Sequence, residues 1–200
     1  MKLSKKGEYA LRSLINLGIA AEVGRALVQV SELAESEQLP VKFLEQIMQA
    51  LKEAGLVLSV RGKFGGYRLA KPARRITIGQ VVRLIDGPLA PIGCVSHSAY
   101  EKCTCPDEAH CGLRMLMLDV RNAIAGILDR YTLADVVEVT LRKLRRDNLP
   151  LPFSPEAEAA STTSRLPARH ARKLARRQTG RARLDETEGA LHQLLGEYTI

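Results

Sequence analysis

A mostly α-helical fold carrying one small two-stranded β hairpin is what the sequence predicts, on three observations. Apolar residues recur at steps of three and four through most of the first 146 positions, the period of an amphipathic helix. Two short β-branched runs flank the glycine-rich loop Arg61-Gly62-Lys63-Phe64-Gly65-Gly66, the pattern of a hairpin. An unbroken apolar stripe then runs from Leu113 to Tyr131, about five helical turns.

In chain order, Ser4 caps a first helix through Tyr9, Leu11, Leu14, Ile15, Leu17, Gly18 and Ala21, and Gly24 stops it. Ser31 opens a short second helix with Glu32-Leu33-Ala34-Glu35, broken at Gln38-Leu39-Pro40. A third runs from Val41 to about Ala54, burying Phe43, Leu44, Ile47, Met48 and Leu51, with Gly55 ending it. Its other face carries Lys42, Glu45, Gln46, Gln49, Lys52 and Glu53. Strands over 56–60 and 67–70 make the hairpin, whose tip and flanks hold Arg61, Lys63, Arg68 and Lys71. Thr77 caps a helix through Val81, Val82, Leu84 and Ile85 that ends at Gly87-Pro88. The long helix from Leu113 carries Leu116, Met117, Val120, Ile124, Ile127 and Leu128; Thr132 then caps a last helix with Val136, Val137, Val139, Leu141 and Leu144.

A short helix, a turn, a longer helix and a basic hairpin, in that order, spell a winged helix-turn-helix with a two-stranded β wing. The long helix has few partners in so small a chain, so its apolar face is expected to pair with a second copy as a dimerisation helix. The alternative is a core helix packed within its own domain. Four regions follow: 1–88, the DNA-binding winged helix-turn-helix; 89–112, a cysteine loop; 113–148, dimerisation helices; and 149–200, a Pro/Ala/Ser linker with a basic, disordered tail. The tail holds eight Arg or Lys and no acid over 165–183, and Leu184, Leu191, Leu194, Leu195 and Tyr198 are spaced for one more helix.

Charge sharpens the division. The net charge of +8 is unevenly distributed, because residues 1–88 hold 14 basic and 8 acidic side chains while 89–148 hold 8 of each. A basic lobe joined to a neutral one implies that the first meets a polyanion. At 200 residues, with 26% charged and no apolar run near the length of a membrane span, the chain reads as a cytoplasmic protein without a membrane partner. Against an enzyme, it has no phosphate-cradling Walker loop, no dinucleotide glycine pattern and no nucleophile elbow.

The DNA chemistry follows from residue types. A helix in the major groove must offer paired donors and acceptors, which Gln46 and Gln49 present to adenine and Glu45 to the cytosine amino group. Arg61 suits a minor groove, and Lys63 and Arg68 suit phosphates. All four cysteines, Cys94, Cys103, Cys105 and Cys111, fall within 18 residues, as a ligand set or a redox switch would. Thiolates suit an iron–sulfur cluster or zinc, and the close pair Cys103-Thr104-Cys105 argues against zinc, whose sites prefer cysteines separated by two to four residues.

Three separated motifs, Lys5-Lys6-Gly7-Glu8-Tyr9-Ala10-Leu11-Arg12, Phe43-Leu44-Glu45-Gln46-Ile47 and Ser59-Val60-Arg61-Gly62-Lys63-Phe64-Gly65-Gly66-Tyr67-Arg68-Leu69, occur in order before the cysteine loop. Together they resemble the IscR/NsrR (Rrf2) family of bacterial transcription regulators over residues 1 to about 145. The resemblance implies a homodimer on a palindromic operator, acting as a repressor, with an iron–sulfur cluster (2Fe-2S or 4Fe-4S) sensing redox, nitric oxide or iron–sulfur status. It matches Glu45 and Gln46 to base-reading positions, Arg61 to the wing arginine, and Cys94, Cys105 and Cys111 to cluster ligands. The interval from Cys94 to Cys105 is longer than in well-known members and contains the extra Cys103. The fourth ligand stays open between Cys103 and Glu8, which resembles an acidic ligand reaching over from the partner subunit; His97 and His110 also lie near. Arg114 stands where some relatives place a ligating histidine, which rules out that arrangement. Two other readings remain: the same regulator with a thiol/disulfide switch or no cluster, and a zinc-held structural or adaptor protein.

Overall fold

The computed structural model describes residues 2–154. The expected basic tail and its terminal helix, from 155 onward, lie outside the described residues. The elements are α1 (Lys5–Glu22), α2 (Val30–Glu37), α3 (Val41–Glu53), β1 (Val57–Val60), β2 (Gly66–Leu69), α4 (Ile78–Asp86), α5 (Gly112–Arg130) and α6 (Leu133–Arg146), with short 3-10 turns at Ala73–Arg75 and Gly93–Val95. Mostly helical with one antiparallel two-stranded wing, this is the predicted winged helix-turn-helix.

Caps set the boundaries. Ser4, Thr77 and Thr132 each accept a hydrogen bond from a backbone N–H three residues on, which satisfies a first-turn donor that has no partner within the helix. Thr132 and Asp135 complete a reciprocal capping box. The second helix departs from expectation: Gln29, not Ser31, caps it, in a box with Glu32, so the helix starts at Val30. The Ser-Glu pair mimics a cap, but the Glu32 carboxylate reaches back to the Gln29 N–H at 2.8 Å.

One core gathers Leu14 of α1, Leu33 of α2, Leu44, Ile47, Met48 and Leu51 of α3, Leu56 and Val57 at the start of the wing, Val81 of α4 and Leu133 of α6. Leu151 and Phe153 also pack against it, so the chain stays on the core past the last helix. Two glycines of α1 mark close approaches. A Cβ on Gly7 would stand 2.5 Å from the Asp86 carboxylate, and one on Gly18 would stand 2.6 Å from Val137 Cγ2. Asp86 uses that closeness: it accepts from the Ser4 N–H at 2.9 Å and from the Ser4 hydroxyl, placing a negative charge at the N-terminus of α1.

Helix α5 contributes no buried residue. It rests on α4 and on the Gly93–Val95 turn, while Leu113, Met115, Leu116, Val120 and Ile127 remain exposed. An apolar stripe that its own chain does not cover is the feature expected of a pairing surface.

Candidate DNA interface and cysteine pocket

The exposed face of α3 exists because the opposite face is buried. With Leu44, Ile47, Met48 and Leu51 in the core, Lys42, Glu45, Gln46 and Gln49 fall on one outward stripe, as the helical repeat requires. All four are exposed, and Gln49 Nε2 donates to Glu53 Oε1 at 2.7 Å. Hydrogen-bonding groups are thus presented together on one face of a helix, an element that a major groove is wide enough to admit.

The wing stands beside it. Its register pairs Val57 with Leu69 and Val60 with Gly66. Val28 extends the hairpin through a bridge to Tyr67, with N–H donors of 3.0 and 2.8 Å in both directions. Gly66 lies so close to this segment that a Cβ would sit 2.6 Å from the Val28 carbonyl oxygen. The tip turns at Gly62, whose φ of +119° favours glycine, and the Gly65 N–H donates to the Gly62 carbonyl at 2.9 Å. Arg61, Lys63 and Arg68 are exposed, whereas Lys71 is half-buried and donates to Gln80 at 3.4 Å.

Between α4 and the start of α5 in the chain, the loop forms a pocket of about 330 Å³ lined by Cys94, Cys103, Cys105 and Cys111, with Glu101, Leu113 and Arg114 among its walls. Cys94 is buried and Cys105 exposed. Cys105 is pushed up to about 11, first by its hydrogen bond with Cys103, then by burial and by the nearby Cys103 and Cys111 sulfurs. Burial is also the main cause raising the Cys94 thiol, with Cys103 and Glu108 adding to it and Arg114 opposing it. Cys111 is the N-cap of α5, its Sγ accepting from the Arg114 N–H at 3.5 Å. Glu108 ties the loop together: it accepts from the Tyr100 hydroxyl at 2.8 Å and pairs with Arg114 Nε at 3.0 Å. Arg121 of α5 donates to the Val95 carbonyl at 2.9 Å, fixing the chain next to Cys94.

Among the described residues no three His, Cys, Asp or Glu side chains stand in a ready metal-ligating arrangement. The donor set nonetheless fits a cluster in type and number, as four thiols lining one pocket. Glu8 is not among those walls; it sits on α1 paired with Lys5 at 2.8 Å and Arg12 at 3.6 Å. His110 pairs with Asp107 at 2.6 Å, and His97 lines a separate depression with Arg83 and Arg121.

Comparison with known proteins decides the identity. The profile of the Rrf2 family, described as an iron-dependent transcriptional regulator, matches residues 3–139. The chain belongs to the Rrf2 family. Among Rrf2 relatives, CymR of Bacillus subtilis is 33% identical over 70% of this chain and 92% of its own length. IscR of Photobacterium profundum is 31% identical over 68% and 76%. The solved structure of B. subtilis CymR, described as the global cysteine regulator of that organism, superposes with a TM-score of 0.58 at 32% identity, covering 70% of this chain and 98% of that one. IscR of T. potens gives 0.54 at 28%, covering 70% and 88%. This chain is therefore an Rrf2-type DNA-binding transcriptional regulator and not an enzyme. No helix among the described residues is long and apolar enough to cross a membrane.

Several residues around the Rrf2 sites escape sequence reading. Glu108, Arg121 and Gln29 act through contacts 26 to 34 positions away or through a loop without periodicity. Glu108 alone left a signal, lying among the cysteines with Arg114 six residues on.

Proposed function

We propose that this Rrf2 regulator is a homodimeric repressor of a palindromic operator whose cysteine loop holds an iron–sulfur cluster, and that the state of this loop sets operator affinity. One observation carries the reading: Cys94, Cys103, Cys105 and Cys111 line a single pocket at the N-terminus of α5. Glu45, Gln46 and Gln49 read base edges, Lys42, Lys63 and Arg68 neutralise phosphates, and Arg61 enters the minor groove. A cluster bound there, 2Fe-2S or 4Fe-4S, supplies a centre sensitive to oxidation or nitric oxide. Cys103 supports an all-cysteine set better than Glu8, because it faces the other thiols while Glu8 is engaged with Lys5 and Arg12.

The chain's own residues carry a change outward. Cys111 caps α5 and Arg121 anchors the Cys94 side of the loop to the same helix. Asp129 of α5 grips Arg83 of α4 through two hydrogen bonds of 2.6 and 2.7 Å. Helix α4 in turn holds the N-terminus of α1 through Asp86 and Ser4. Moving the loop therefore moves α5 against the DNA-binding lobe. Two lobes reading half-sites roughly 34 Å apart tolerate little change in their spacing.

A thiol switch is the second reading, favoured by the four free thiols that line one pocket, of which Cys103 and Cys105 are separated only by Thr104. In it the two sulfurs join as a disulfide, and a peroxide takes their two protons and two electrons to become water. Purification without oxygen, with visible absorption and iron and sulfide analysis, separates the two. The expected protein is coloured and contains iron and sulfide; Cys103→Ser lowers its iron content and Glu8→Gln leaves it unchanged. Protein that stays colourless and iron-free after cluster reconstitution overturns the cluster reading in favour of the thiol switch.

A further inference from the structure

Among the described residues none buries the Phe64 ring. Of the three phenylalanines, Phe43 meets the Tyr9 ring edge-on at 6.0 Å and Phe153 packs against the core, whereas Phe64 is 84% exposed, the most exposed large apolar side chain among the described residues. It is presented by a stiff support. The Gly65–Gly62 hydrogen bond closes the turn, Gln29 Nε2 lies 3.5 Å from the Lys63 carbonyl, and the Val28 bridge anchors the base of the hairpin. An aromatic ring held out on a preorganised tip loses little freedom on binding.

Its surroundings define the partner. The Lys63 ammonium lies 5.7 Å from the ring centroid, and Arg61 and Arg68 are exposed on the same hairpin. This cationic collar repels a second copy of the same tip and is drawn to phosphates on both sides of a groove. A duplex offers both features at once: a negative rim and, between base pairs, an apolar stacking surface reached from the minor groove.

We propose that Phe64 is a wedge that enters the operator minor groove and partly unstacks one base step, so that this chain bends the DNA it binds. The inference rests on the DNA-binding reading above and adds a chemical role to a residue that neither reads bases nor neutralises phosphates. Substitution leaves the core untouched, so variants remain folded for comparison.

The test uses the full-length protein and a duplex selected by it from a randomised pool, labelled with fluorophores at both ends and carrying 2-aminopurine at successive steps. Wild type is expected to shorten the end-to-end distance and raise 2-aminopurine emission at one step. Phe64→Ala is expected to bind roughly tenfold more weakly and leave the duplex straight and stacked. Phe64→Leu retains most of the bend, since a wedge need only be apolar. Lys63→Ala weakens binding while preserving the bend in each complex formed. A straight wild-type complex, or a Phe64→Ala complex bent and bound like wild type, overturns the wedge and leaves DNA binding intact. Loss of the dimer in Phe64→Ala during sedimentation also overturns it, assigning the ring to a contact between copies. Failure of wild type to select any duplex overturns the DNA-binding reading itself, a result recognisable because no complex forms.

Discussion

Placing a methyl group on Gly18 tests how closely α1 and α6 are fitted. The added Cβ would stand 2.6 Å from Val137 Cγ2, roughly 1 Å inside the usual carbon–carbon separation of ~3.5–4.0 Å. Val137 is buried at 3% exposure, and its branched side chain has one strongly preferred rotamer in a helix, so it cannot simply swing aside. Overpacking of this kind costs about 1–3 kcal/mol, offset by about 0.5–1 kcal/mol from replacing a helical glycine by alanine. Gly18→Ala should therefore cost about 1 kcal/mol. Val137→Ala alone should cost about 2 kcal/mol, from two buried carbons and the space they leave. Combined, the new methyl occupies that space, and the double variant should be more stable than the sum of the singles predicts by about 1–2 kcal/mol. Urea unfolding of all four proteins at one protein concentration measures the cycle, with constant slopes as the control. Additivity within about 0.5 kcal/mol would refute the contact argument.

Ile127→Glu puts a charge on the exposed apolar stripe of α5 and should convert dimers to monomers in sedimentation, since a buried unpaired charge costs about 3–5 kcal/mol; an unchanged dimer would place the interface elsewhere. Lys63→Ala should weaken binding to all duplexes alike and flatten the salt dependence by about one unit, whereas Gln46→Ala should change which sequences are selected. Asp129 gives a pH signature. Its hydrogen bonds from Arg83 hold its carboxyl below the ordinary value, so the unfolded chain takes up this proton at a higher pH than the folded one. Its contribution is complete above the usual carboxylate range near 3.9 and disappears as pH falls through the folded value. Both side chains are more than a third exposed, which limits the effect to a few tenths of a kcal/mol. The stability difference between wild type and Asp129→Asn should shrink on acidification, and a difference that grows would contradict the assigned sign.

Helical periodicity made most of the fold legible. The caps Ser4, Thr77 and Thr132 and the stops near Gly24, Gly55 and Gly87 are local chemistry, which a sequence displays directly. The start of α2 was hidden because Ser31 is the favoured capping type and is followed at once by Glu32, whereas that carboxylate stands at capping distance from Gln29, which the backbone path makes the cap. The exposed stripe of α3 was legible because Leu44, Ile47, Met48 and Leu51 define its opposite face. The cysteine pocket was visible as a cluster in sequence, but its geometry was not: an irregular loop has no period, and Glu108 and Arg121 act by reach. The Val28–Tyr67 bridge was missed for the same reason, as one paired residue leaves no alternation to detect.

The motifs that resemble the family divide, on this structure, into residues that build the lobe and residues that face outward. In the first motif, Gly7 permits the approach of Asp86, Ala10 is buried and Tyr9 packs against Phe43, while Lys5 and Arg12 lie near the Tyr9 ring at 5.8 and 5.6 Å. In the wing motif, Gly65, Gly66 and Tyr67 are fixed by backbone contacts, whereas Arg61, Lys63, Phe64 and Arg68 are left exposed. Substitutions in the two classes should consequently fail differently. Gly66→Ala must displace either the wing or the Val28 segment, because its Cβ would meet backbone that has no rotamer to change. Such a variant should lose affinity for every duplex together with thermal stability. A change at Gln46 or Arg61 removes no buried contact, so it should alter DNA recognition in a protein that melts where wild type does.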